Sequence, residues 1–442
     1  MLANVLYLIL ILLVSPILLF RAYRGGRYRR GLNEKVLGLS ASKAESLWGG
    51  QPAQSPKRWF HAVSVGEVNL LVGLIKKLNE EGPNRYVIST STDTGYDLAV
   101  QHFGSERVFF CPLDFTWAVS RTINHLQPTE LILIELELWP NLIRSAKQNG
   151  CKVSVVNARL SQRSSKRYQQ FSRFTRPLFA SLDWVGCQDQ EVLEHFHACG
   201  TPKVRLEITG SLKFDNAPLS RATSAVEACR TWAGLTDQHV VWLVGSTQPG
   251  EEAMALSIYK TLMPKHPSLR LILVPRHPQR FDEVDQLIRS FELVPRRRSK
   301  VSEQPKEWLA QRVTLVDTIG ELRNWWGTAQ IATVGGSFGS RGGQNMLEPA
   351  GYGCAVSFGP DTRNFKQISQ TLLDANASVR VNNETELLNF VTNCLRDSCY
   401  RESLGARASK TVRNHRGAID RTCNAITQHT MPSPTPPTSL VS

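Results

Sequence analysis

Two glycines and the polar run after them are the residues that most directly suggest chemistry in this chain. They follow the apolar, strand-like segment Ile331 to Val334 and form the stretch Gly342-Gly343-Gln344-Asn345-Met346-Leu347-Glu348. Paired glycines let backbone amides approach a phosphate, and a helix that begins near Asn345 would point its positive end at that anion. Glu348, in the first turns of that helix, could accept hydrogen bonds from a ribose. The pattern indicates a nucleotide-sugar pocket, and the alternative is a glycine-rich turn that caps an ordinary helix.

A second candidate is the carboxylate Glu67, which follows the predicted strand Trp59 to Val63 through the turn Ser64-Val65-Gly66. This spacing predicts that Glu67 lies in the first turn of the next helix and faces the ligand-binding edge of a parallel sheet. Partial burial destabilises the charged form of a carboxylate and raises its pKa, which suits a general base that removes a proton from an attacking hydroxyl. The alternative is a helix N-terminal glutamate that the helix dipole stabilises.

Two more carboxylates, Glu135 and Glu137, follow the apolar run Leu131 to Ile134. Two carboxylates that leave water together are costly, so at least one of them needs a ligand, a cation or a helix amide as its partner. Lys213 lies near the middle of the chain, where it could reach an anionic group. The alternatives are structural capping by the carboxylates and an ordinary solvated lysine.

Arg276 stands between Pro275 and the pair His277-Pro278, at the end of another apolar run. Arginine recognises phosphate or carboxylate through two parallel hydrogen bonds, and rigid proline neighbours reduce the entropy lost on binding. The sequence therefore predicts a phosphate clamp at Arg276. The stretches Asp317 to Leu322 and Gly245 to Glu252 are further strand ends followed by helix starts, and each can equally be a helix cap.

These residues need a scaffold, and the chain supplies short apolar runs that alternate with amphipathic stretches, such as the helical pattern from Val68 to Leu78. This alternation is typical of α/β units on parallel sheets, in which the polar residues after each strand meet at one edge. The pattern occurs in both halves of the chain and predicts these strands: Trp59 to Val63, Tyr86 to Thr90, Leu131 to Ile134, Val153 to Asn157, Trp184 to Cys187, Val240 to Val244, Leu269 to Val274, Val313 to Val316, Ile331 to Val334 and Ala355 to Phe358.

The chain has 442 residues, which is too many for one typical core and predicts two domains. The region from Leu212 to Ala222 has the character of a linker between them. The nine cysteines show no CxxC pair and no zinc-like spacing with histidine, which indicates reduced thiols in the cytosol and no structural metal. The tail from Met431 to Ser442, rich in Pro, Ser and Thr, is predicted to be disordered.

The segment Leu2 to Phe20 is apolar, and it is just long enough for the helix of about 20 residues that spans a bilayer. No basic residue precedes it, which argues against a cleaved signal peptide, whereas a helix that dips into one leaflet stays an alternative. The net charge of +14 fits acidic lipid as a partner more simply than nucleic acid. Five arginines follow the segment and place the rest of the chain in the cytosol: Arg21, Arg24, Arg27, Arg29 and Arg30.

Taken in order, these segments resemble the Kdo transferases of lipopolysaccharide synthesis, which move 3-deoxy-D-manno-octulosonic acid (Kdo) from CMP-Kdo to the lipid A precursor. The resemblance covers nearly the whole chain, from the anchor and its arginines to Asn364-Phe365. The matching stretches include His61 to Val68, Ser91 to Gly95, Glu135 to Leu142, Asn157 to Ser161, Gly210 to Asp215, Val274 to Phe281, Asp317 to Leu322, Gly335 to Ser337 and Gly342 to Ala350.

The resemblance implies a GT-B glycosyltransferase architecture, with two Rossmann-like lobes, a cleft between them and an N-terminal anchor helix in the inner (cytoplasmic) membrane. The implied domains are residues 1–30, the membrane anchor and its basic segment; 31–217, the acceptor-binding lobe; 218–430, the CMP-sugar-binding lobe; and 431–442, the tail.

Position by position, the resemblance implies that Glu67 is the general base and that Glu135 and Lys213 stabilise the transition state. The implied reaction is an inverting transfer of Kdo from CMP-Kdo to the lipid A precursor lipid IVA, with inner-membrane lipid as a partner and without a cofactor, a metal or nucleic acid. The implied nucleotide contacts are Pro275, Arg276, Ile319, Gly320, Glu321, Asn345, Met346, Leu347 and Glu348.

The sequence departs from the family pattern at three positions. Gln248 and Gln344 stand where histidine is usual, and Leu136 replaces a threonine between the two glutamates. Glutamine forms hydrogen bonds but carries no charge, so nucleotide binding is weaker here if either family histidine holds the phosphate as a cation. None of the changes removes the expected base, which favours an active enzyme.

Three other interpretations stay open at the level of the sequence. A different GT-B transferase would use another nucleotide sugar. A sugar-nucleotide epimerase would share the architecture but has no reason for an anchor. A non-catalytic, membrane-associated homologue would tolerate the loss of Glu67.

Overall fold

The computed structural model describes residues 30–300 and 311–430. This part of the chain divides into two compact units. Unit 1 contains residues 30–216 and 416–430, and unit 2 contains residues 217–300 and 311–415. The predicted anchor, apart from Arg30, and the predicted tail lie outside the described residues. Within the two described ranges, no helix combines the length and the apolar character that crossing a bilayer requires.

Unit 1 is built on a sheet of seven parallel strands. In chain order the strands are β1 Lys57–His61, β2 Arg85–Thr90, β3 Val108–Phe110, β4 Glu130–Ile134, β5 Lys152–Ala158, β6 Trp184–Cys187 and β7 Leu206–Ile208. Their spatial order is β3-β2-β1-β4-β5-β6-β7. Helices cover both faces of the sheet, so a central strand such as β4 is buried along its whole length and is apolar at nearly every position.

The helices of unit 1 lie between these strands and pack on both faces of the sheet. Consecutive residues of β1 illustrate the two faces, because Trp59 belongs to one hydrophobic cluster and Phe60 to the other. In chain order the helices are α1 Leu32–Leu37, α2 Ala41–Trp48, α3 Val65–Glu81, α4 Asp93–Phe103, α5 Thr116–Leu126, α6 Pro140–Gln148, α7 Gln162–Gln170, α8 Ser172–Ala180, α9 Gln190–Cys199 and α10 Leu212–Asp215.

Unit 2 repeats this layout with a second sheet of seven parallel strands in the order β10-β11-β9-β8-β12-β13-β14. The strands are β8 Val240–Thr247, β9 Leu269–Pro275, β10 Val294–Arg297, β11 Arg312–Leu315, β12 Ile331–Val334, β13 Ala355–Phe358 and β14 Ser378–Arg380. The helices are α11 Ser224–Ala233, α12 Glu251–Leu262, α13 Phe281–Ser290, α14 Leu322–Trp326, α15 Leu347–Gly351, α16 Lys366–Asp374, α17 Glu384–Arg396 and α18 Ser398–Asn414. The predicted α/β class with two Rossmann-like lobes is confirmed.

Each sheet has one position where consecutive crossovers leave in opposite directions, between β1 and β4 in unit 1 and between β8 and β12 in unit 2. The loops that follow these neighbouring strands diverge, and ligands of open α/β sheets bind in the crevice that results. Glu67 follows β1 and Glu135 follows β4. In unit 2, Gln248 and Gly335 directly follow β8 and β12. The two positions that the topology favours for ligands are therefore the two that the sequence motifs mark.

Four strands escaped the sequence prediction, and they are the outer strands of the two sheets: β3, β7, β10 and β14. Each is only three or four residues long. An outer strand pairs on one side only, and arginines in β10 and β14 interrupt the apolar pattern that would mark it.

The chain returns to unit 1 in the C-terminal helix α19, Ala418–Thr430. Its buried residues Cys423 and Ile426 belong to the same hydrophobic cluster as the apolar face of α3. Gly73 of α3 permits this close packing, since a Cβ there would lie 2.8 Å from Ile419 Cδ1. The predicted lobes, 31–217 and 218–430, differ from this division, because the first unit ends at Asn216 and residues 416–430 pack on it.

Asp215 fixes the start of α19, and its loss should loosen that helix. Its Oδ1 accepts a hydrogen bond from Gly417 N at 2.7 Å and its Oδ2 accepts one from Ile419 N at 2.8 Å. Asp215→Ala removes both acceptors. Because a hydrogen bond to a charged group contributes about 1.5–3 kcal/mol, we expect the α19 amides to exchange about 10- to 100-fold faster in hydrogen–deuterium exchange.

The matched control is Asp237→Ala, which removes an exposed aspartate of unit 2 that pairs with Arg230. It should leave α19 protection unchanged. Equal protection of α19 in the wild type and in Asp215→Ala would contradict the stabilising role assigned to Asp215 at the start of α19.

Candidate active site

Glu67 lies in the first turn of α3, at the crevice of unit 1. Its Oε2 accepts a hydrogen bond from Val63 N at 2.7 Å, and its Oε1 accepts one from Ser64 Oγ at 2.8 Å. Burial nevertheless raises the pKa of Glu67 from the usual 4.5 to about 7, because desolvation outweighs these two hydrogen bonds, and the negative charges of Glu137 and Glu135 act in the same direction. A half-ionised, partly accessible carboxylate is what a general base near neutral pH requires.

Glu135 and Lys213 form an ion pair at the same crevice, with 2.9 Å between Lys213 Nζ and Glu135 Oε1. Glu135 adopts a left-handed backbone with φ of 61°, which is uncommon for glutamate and turns the chain sharply after β4. Asn157, also left-handed with φ of 53°, interrupts the pairing of β5 with β6, and its side-chain Oδ1 accepts a hydrogen bond from Leu212 N at 3.0 Å. This contact holds the short helix that carries Lys213 against the carboxyl ends of the strands.

Glu137 is a third carboxylate of this group, and the sequence analysis left it without a role. Its Oε2 accepts a hydrogen bond from Trp139 Nε1 at 3.0 Å. Burial raises the pKa of Glu137, and the charge of Glu135 adds to the effect. The sequence signal for Glu137 was its position two residues after Glu135. That spacing alone does not show that both side chains lie close enough to Glu67 to raise its pKa.

In unit 2, the amides of the paired glycines already have partners inside the protein. Gly342 N donates to Asp361 Oδ2 at 2.9 Å and Gly343 N donates to Gly336 O at 2.8 Å. Both glycines have positive φ, and a Cβ on Gly342 would lie 2.5 Å from the Asn364 amide. These two amides are therefore not free to donate to a phosphate in this structure. Their role is to let the loop turn and pack.

The residues just after the glycines are better placed to meet an anion. Among the described residues, no hydrogen bond engages the backbone amides of Gln344, Asn345 and Met346. The helix that follows, α15, has only five residues, so its dipole is weaker than the sequence analysis expected. The side chains of Met346 and Leu347 are buried, which leaves only their backbone atoms for a ligand.

Glu348, in the first turn of α15, keeps a partly exposed side chain at this edge of the sheet. Burial raises its pKa, while the positive charge of Arg323 and a hydrogen bond from Asn345 oppose the shift. Its carboxylate can accept hydrogen bonds from a polar ligand, and the ribose contact stays a prediction.

Arg276 lies just beyond the end of β9, with an exposed side chain. Its backbone N donates to Thr247 O at 3.1 Å, which fixes its position beside the end of β8. In the described part of the chain, its guanidinium forms no ion pair. Pro275 is buried as the last residue of β9. Gln248, which stands where the family has histidine, has its side-chain nitrogen 3.3 Å from His277 Nε2, so an imidazole still lies beside this position.

The carboxylate of Glu321 accepts hydrogen bonds from other side chains of unit 2. Arg298 donates two hydrogen bonds to it, from Nε at 2.9 Å and from Nη2 at 3.0 Å, and Thr318 Oγ1 donates a third at 2.6 Å. The Arg298 guanidinium lowers the pKa of Glu321 to about 2. Ile319 is 81% exposed and Gly320 has a φ of 87°, so this loop presents backbone and an apolar side chain to a ligand.

Glu251 organises the crevice of unit 2, and sequence reasoning did not single it out. Its carboxylate accepts hydrogen bonds from four backbone amides, of which three belong to the loop after β12. The donors are Gln248 N at 2.9 Å, Gly336 N at 2.8 Å, Ser337 N at 3.1 Å and Phe338 N at 3.1 Å. A cavity of about 390 Å³ opens beside it, and its lining includes Gln248, Gly250, Gly336, Phe338 and Arg341.

Comparison with known proteins shows the family to which this chain belongs. A family model described as 3-deoxy-D-manno-octulosonic-acid transferase (kdotransferase) matches residues 32–216. Over 424 residues, the chain is 32% identical to the 3-deoxy-D-manno-octulosonic acid transferase of Haemophilus influenzae, and the match covers 94% of this chain and 96% of that protein. The chain belongs to the Kdo transferase family. It is therefore a glycosyltransferase, and the resemblance seen in its motifs is confirmed.

Solved structures extend the comparison to the fold. UDP-GlcNAc 2-epimerase from Neisseria meningitidis matches with a TM-score of 0.56 and 12% identity, and the match covers 84% of this chain and 99% of that one. A glycosyltransferase from Rickettsia africae matches with a TM-score of 0.55 and 12% identity, over 85% of this chain and 96% of that one. At such low identity the likeness concerns the fold alone, which is that of GT-B proteins.

The residues expected in the site of this Kdo transferase fall into two groups. Glu67, Glu135 and Lys213 come together in unit 1. The nine residues expected to contact nucleotide all follow the carboxyl ends of β9, β11 and β12 in unit 2 or end β9 itself. Their individual roles stay predictions. No group of three or more His, Cys, Asp or Glu side chains among residues 30–300 and 311–430 is arranged to hold a metal ion.

The raised pKa of Glu67 has a consequence for stability. A folded-state pKa above the unfolded value means that the protonated form favours folding, so this contribution is present below about pH 4.5 and is lost as the pH rises through about 7. Glu67→Gln removes this titration. We expect the melting temperature of the variant, relative to that of the wild type, to increase between about pH 5 and about pH 8.

Differential scanning calorimetry at several pH values measures this difference. Glu191→Gln is the matched control, because Glu191 occupies the first turn of α9 but is exposed. A difference between wild type and Glu67→Gln that does not change with pH would contradict the assigned pKa.

Proposed function

We propose that this chain transfers Kdo from CMP-Kdo to the lipid A precursor lipid IVA, with inversion at the anomeric carbon. Its membership of the Kdo transferase family supports the donor and the reaction class. The observation that carries the mechanism is the crevice of unit 1, where a carboxylate with a pKa of about 7 lies beside a lysine–glutamate ion pair. In this proposal Glu67 is the base, and unit 2 binds the nucleotide.

The reacting carbon of Kdo also carries the sugar's carboxylate. Loss of CMP therefore builds positive charge next to a negative group while a phosphate departs. The acceptor hydroxyl attacks from the face opposite the phosphate, and Glu67 takes its proton as the new bond forms, which inverts the configuration. Lys213, held in place by Glu135, supplies a positive charge that stabilises the negative groups of the transition state.

Leaving-group stabilisation is the proposed task of unit 2. Arg276 would hold the phosphate through paired hydrogen bonds, and the amides of Gln344, Asn345 and Met346 would donate to it. Glu348 would accept from the ribose. The exposed backbone at Gly320 would contact the cytosine, whose edge has both donors and acceptors. His277, beside Gln248, would donate a hydrogen bond to the phosphate in place of the family histidine.

Membrane attachment is part of the proposal because the acceptor is a lipid. Residues 1–30 would hold the enzyme on the cytoplasmic side of the inner membrane, which raises the local concentration of the acceptor. The direct test is incubation of the purified protein with CMP-Kdo and lipid IVA, followed by mass spectrometry of the lipid. A lipid mass increased by one or more Kdo units supports the proposal, and conversion of the nucleotide sugar without a lipid product refutes it.

Loss of the base should abolish most of the activity. We expect Glu67→Gln to lower kcat by about 10²-fold or more, since amides do not accept the proton. For the wild type, kcat/KM should fall as the pH drops through about 7, because the base must be ionised. Both are measured by the release of CMP.

The control for this substitution is again Glu191→Gln, which should retain wild-type kcat. Binding of CMP to Glu67→Gln, followed by calorimetry, should also be unchanged, since Glu67 belongs to unit 1. A kcat within a few-fold of wild type in Glu67→Gln would assign the proton transfer to another group.

Arg276 provides a separate test of the nucleotide site. We expect Arg276→Gln to weaken CMP binding by about 10-fold or more, since a hydrogen bond to a charged group contributes about 1.5–3 kcal/mol. Isothermal titration calorimetry with CMP, UDP and GDP measures this effect and the base preference together.

Arg396→Gln is the matched control, because Arg396 is an exposed arginine at the end of α17, which returns to the opposite edge of the sheet. Its CMP affinity should equal that of the wild type. Tighter binding of UDP than of CMP would exclude CMP-Kdo as the donor.

A further inference from the structure

Helices α7 and α8 of unit 1 present a strongly basic surface with two exposed phenylalanines. Between Arg159 and Leu182 the chain contains no acidic residue. It contains six cations with exposed side chains, and none of them forms a salt bridge in the described part of the chain. They are Arg159, Arg163, Lys166, Arg167, Arg173 and Arg176.

Phe171 joins the two helices and is 62% exposed, and Phe174, in the first turn of α8, is 74% exposed. The two side chains are three residues apart and share a helix face. An isolated exposed aromatic needs no explanation, but two neighbouring ones among cations leave a large apolar area in water that a partner can cover. We call Phe171, Phe174 and the six cations the basic aromatic surface.

The surface belongs to a firmly packed element. Tyr168 and Phe179 lie on the opposite side of the two helices, with their rings 5.2 Å apart, and Phe179 also meets Phe196 of α9 at 5.6 Å. Thr175 Oγ1 donates to Tyr168 O at 2.7 Å across the junction. The outward side chains are thus held by a rigid base, and their exposure belongs to the fold.

The chemistry of the surface selects its partner. Exposed phenylalanines flanked by lysine and arginine are the composition of helices that lie in the interface of an acidic bilayer, where aromatic rings enter the acyl boundary and cations meet the head groups. A second copy of the same surface is disfavoured, because a two-fold contact would bring six unpaired cations against six. We propose that the basic aromatic surface docks unit 1 on an acidic membrane surface, independently of residues 1–29.

The basic aromatic surface lies close to the crevice of unit 1. Three residues separate the end of β5 at Ala158 from the start of α7 at Gln162. This end of β5 contacts the Glu135 loop, since Glu135 N donates to Val156 O at 3.0 Å. The basic aromatic surface therefore starts at the edge of the sheet that carries Glu67. A bilayer in contact with it lies next to the carboxylates that the proposed function assigns to a lipid acceptor. The docking itself does not depend on that function.

The test uses the full chain and an environment-sensitive dye at position 174. Of the nine cysteines, Cys399 is exposed and the others are buried, so Phe174→Cys in a Cys399→Ser background can be labelled with bimane. With vesicles that contain phosphatidylglycerol, we expect a blue shift of the emission that high salt reverses. The same dye at Val294→Cys, a 45% exposed position of unit 2, should show no shift.

A second pair of variants measures the electrostatic part. Arg173→Gln with Arg176→Gln should raise the phosphatidylglycerol concentration needed for half of the shift by about 30-fold, since each cation near the surface contributes about 1 kcal/mol. Arg380→Gln with Arg396→Gln, two exposed cations of unit 2, is the control and should leave it unchanged. Circular dichroism of each variant checks that the fold is intact.

Three results would overturn the proposal. The first is the absence of an emission shift from the dye at position 174 while the chain is bound to the vesicles. The second is a shift that depends on protein concentration without lipid, which assigns the surface to a second copy. The third is a shift with detergent-dispersed lipid IVA but none with vesicles, which makes the surface an acceptor site. All three are independent of whether Kdo is transferred.

Discussion

A buried carboxylate needs hydrogen-bond donors or a cation, and this requirement determines how the loops at both crevices are arranged. In unit 2 three carboxylates have several donors or a cation: Glu251 accepts hydrogen bonds from four amides, Glu321 pairs with Arg298, and the buried Glu252 pairs with Arg280 at 2.6 Å. These groups fix the loops at the ends of the strands. Glu67 receives only two hydrogen bonds and no cation, and its pKa is raised accordingly. Glu67 combines a raised pKa with a partly exposed side chain, and it can therefore take a proton near neutral pH.

Much of the fold could be predicted from the sequence because parallel strands buried on both faces leave continuous apolar runs. The predictions for β6, β12 and β13 coincide with the observed strands, and the other central strands differ from their predictions by one to three residues at one or both ends. The outer strands could not be found in this way, since β7 and β14 pair on one side and mix apolar with charged residues. The packing of α19 on unit 1 could not be predicted either, because an amphipathic pattern does not show on which sheet a helix packs.

The site was predictable where a residue's position follows from strand and helix boundaries alone. Glu67 is such a residue, since β1, a turn and the start of α3 determine its place. The paired glycines were not, because the sequence does not reveal that Asp361 and Gly336 already occupy the amides of Gly342 and Gly343. For the same reason the sequence did not point to Glu251, because three of its four donors belong to the loop after β12, which lies 85 to 87 residues further along the chain and reaches Glu251 only after folding.

The return of the chain to unit 1 also bears on how the protein is made. Because α19 supplies part of the core around α3, the first unit lacks one side of its hydrophobic core until residues 416–430 leave the ribosome. Unit 2, whose residues are contiguous, can complete its core earlier. The order of maturation is therefore the reverse of the order of synthesis, and a fragment cut at Asn216 would expose the apolar side of α3 and be prone to aggregate.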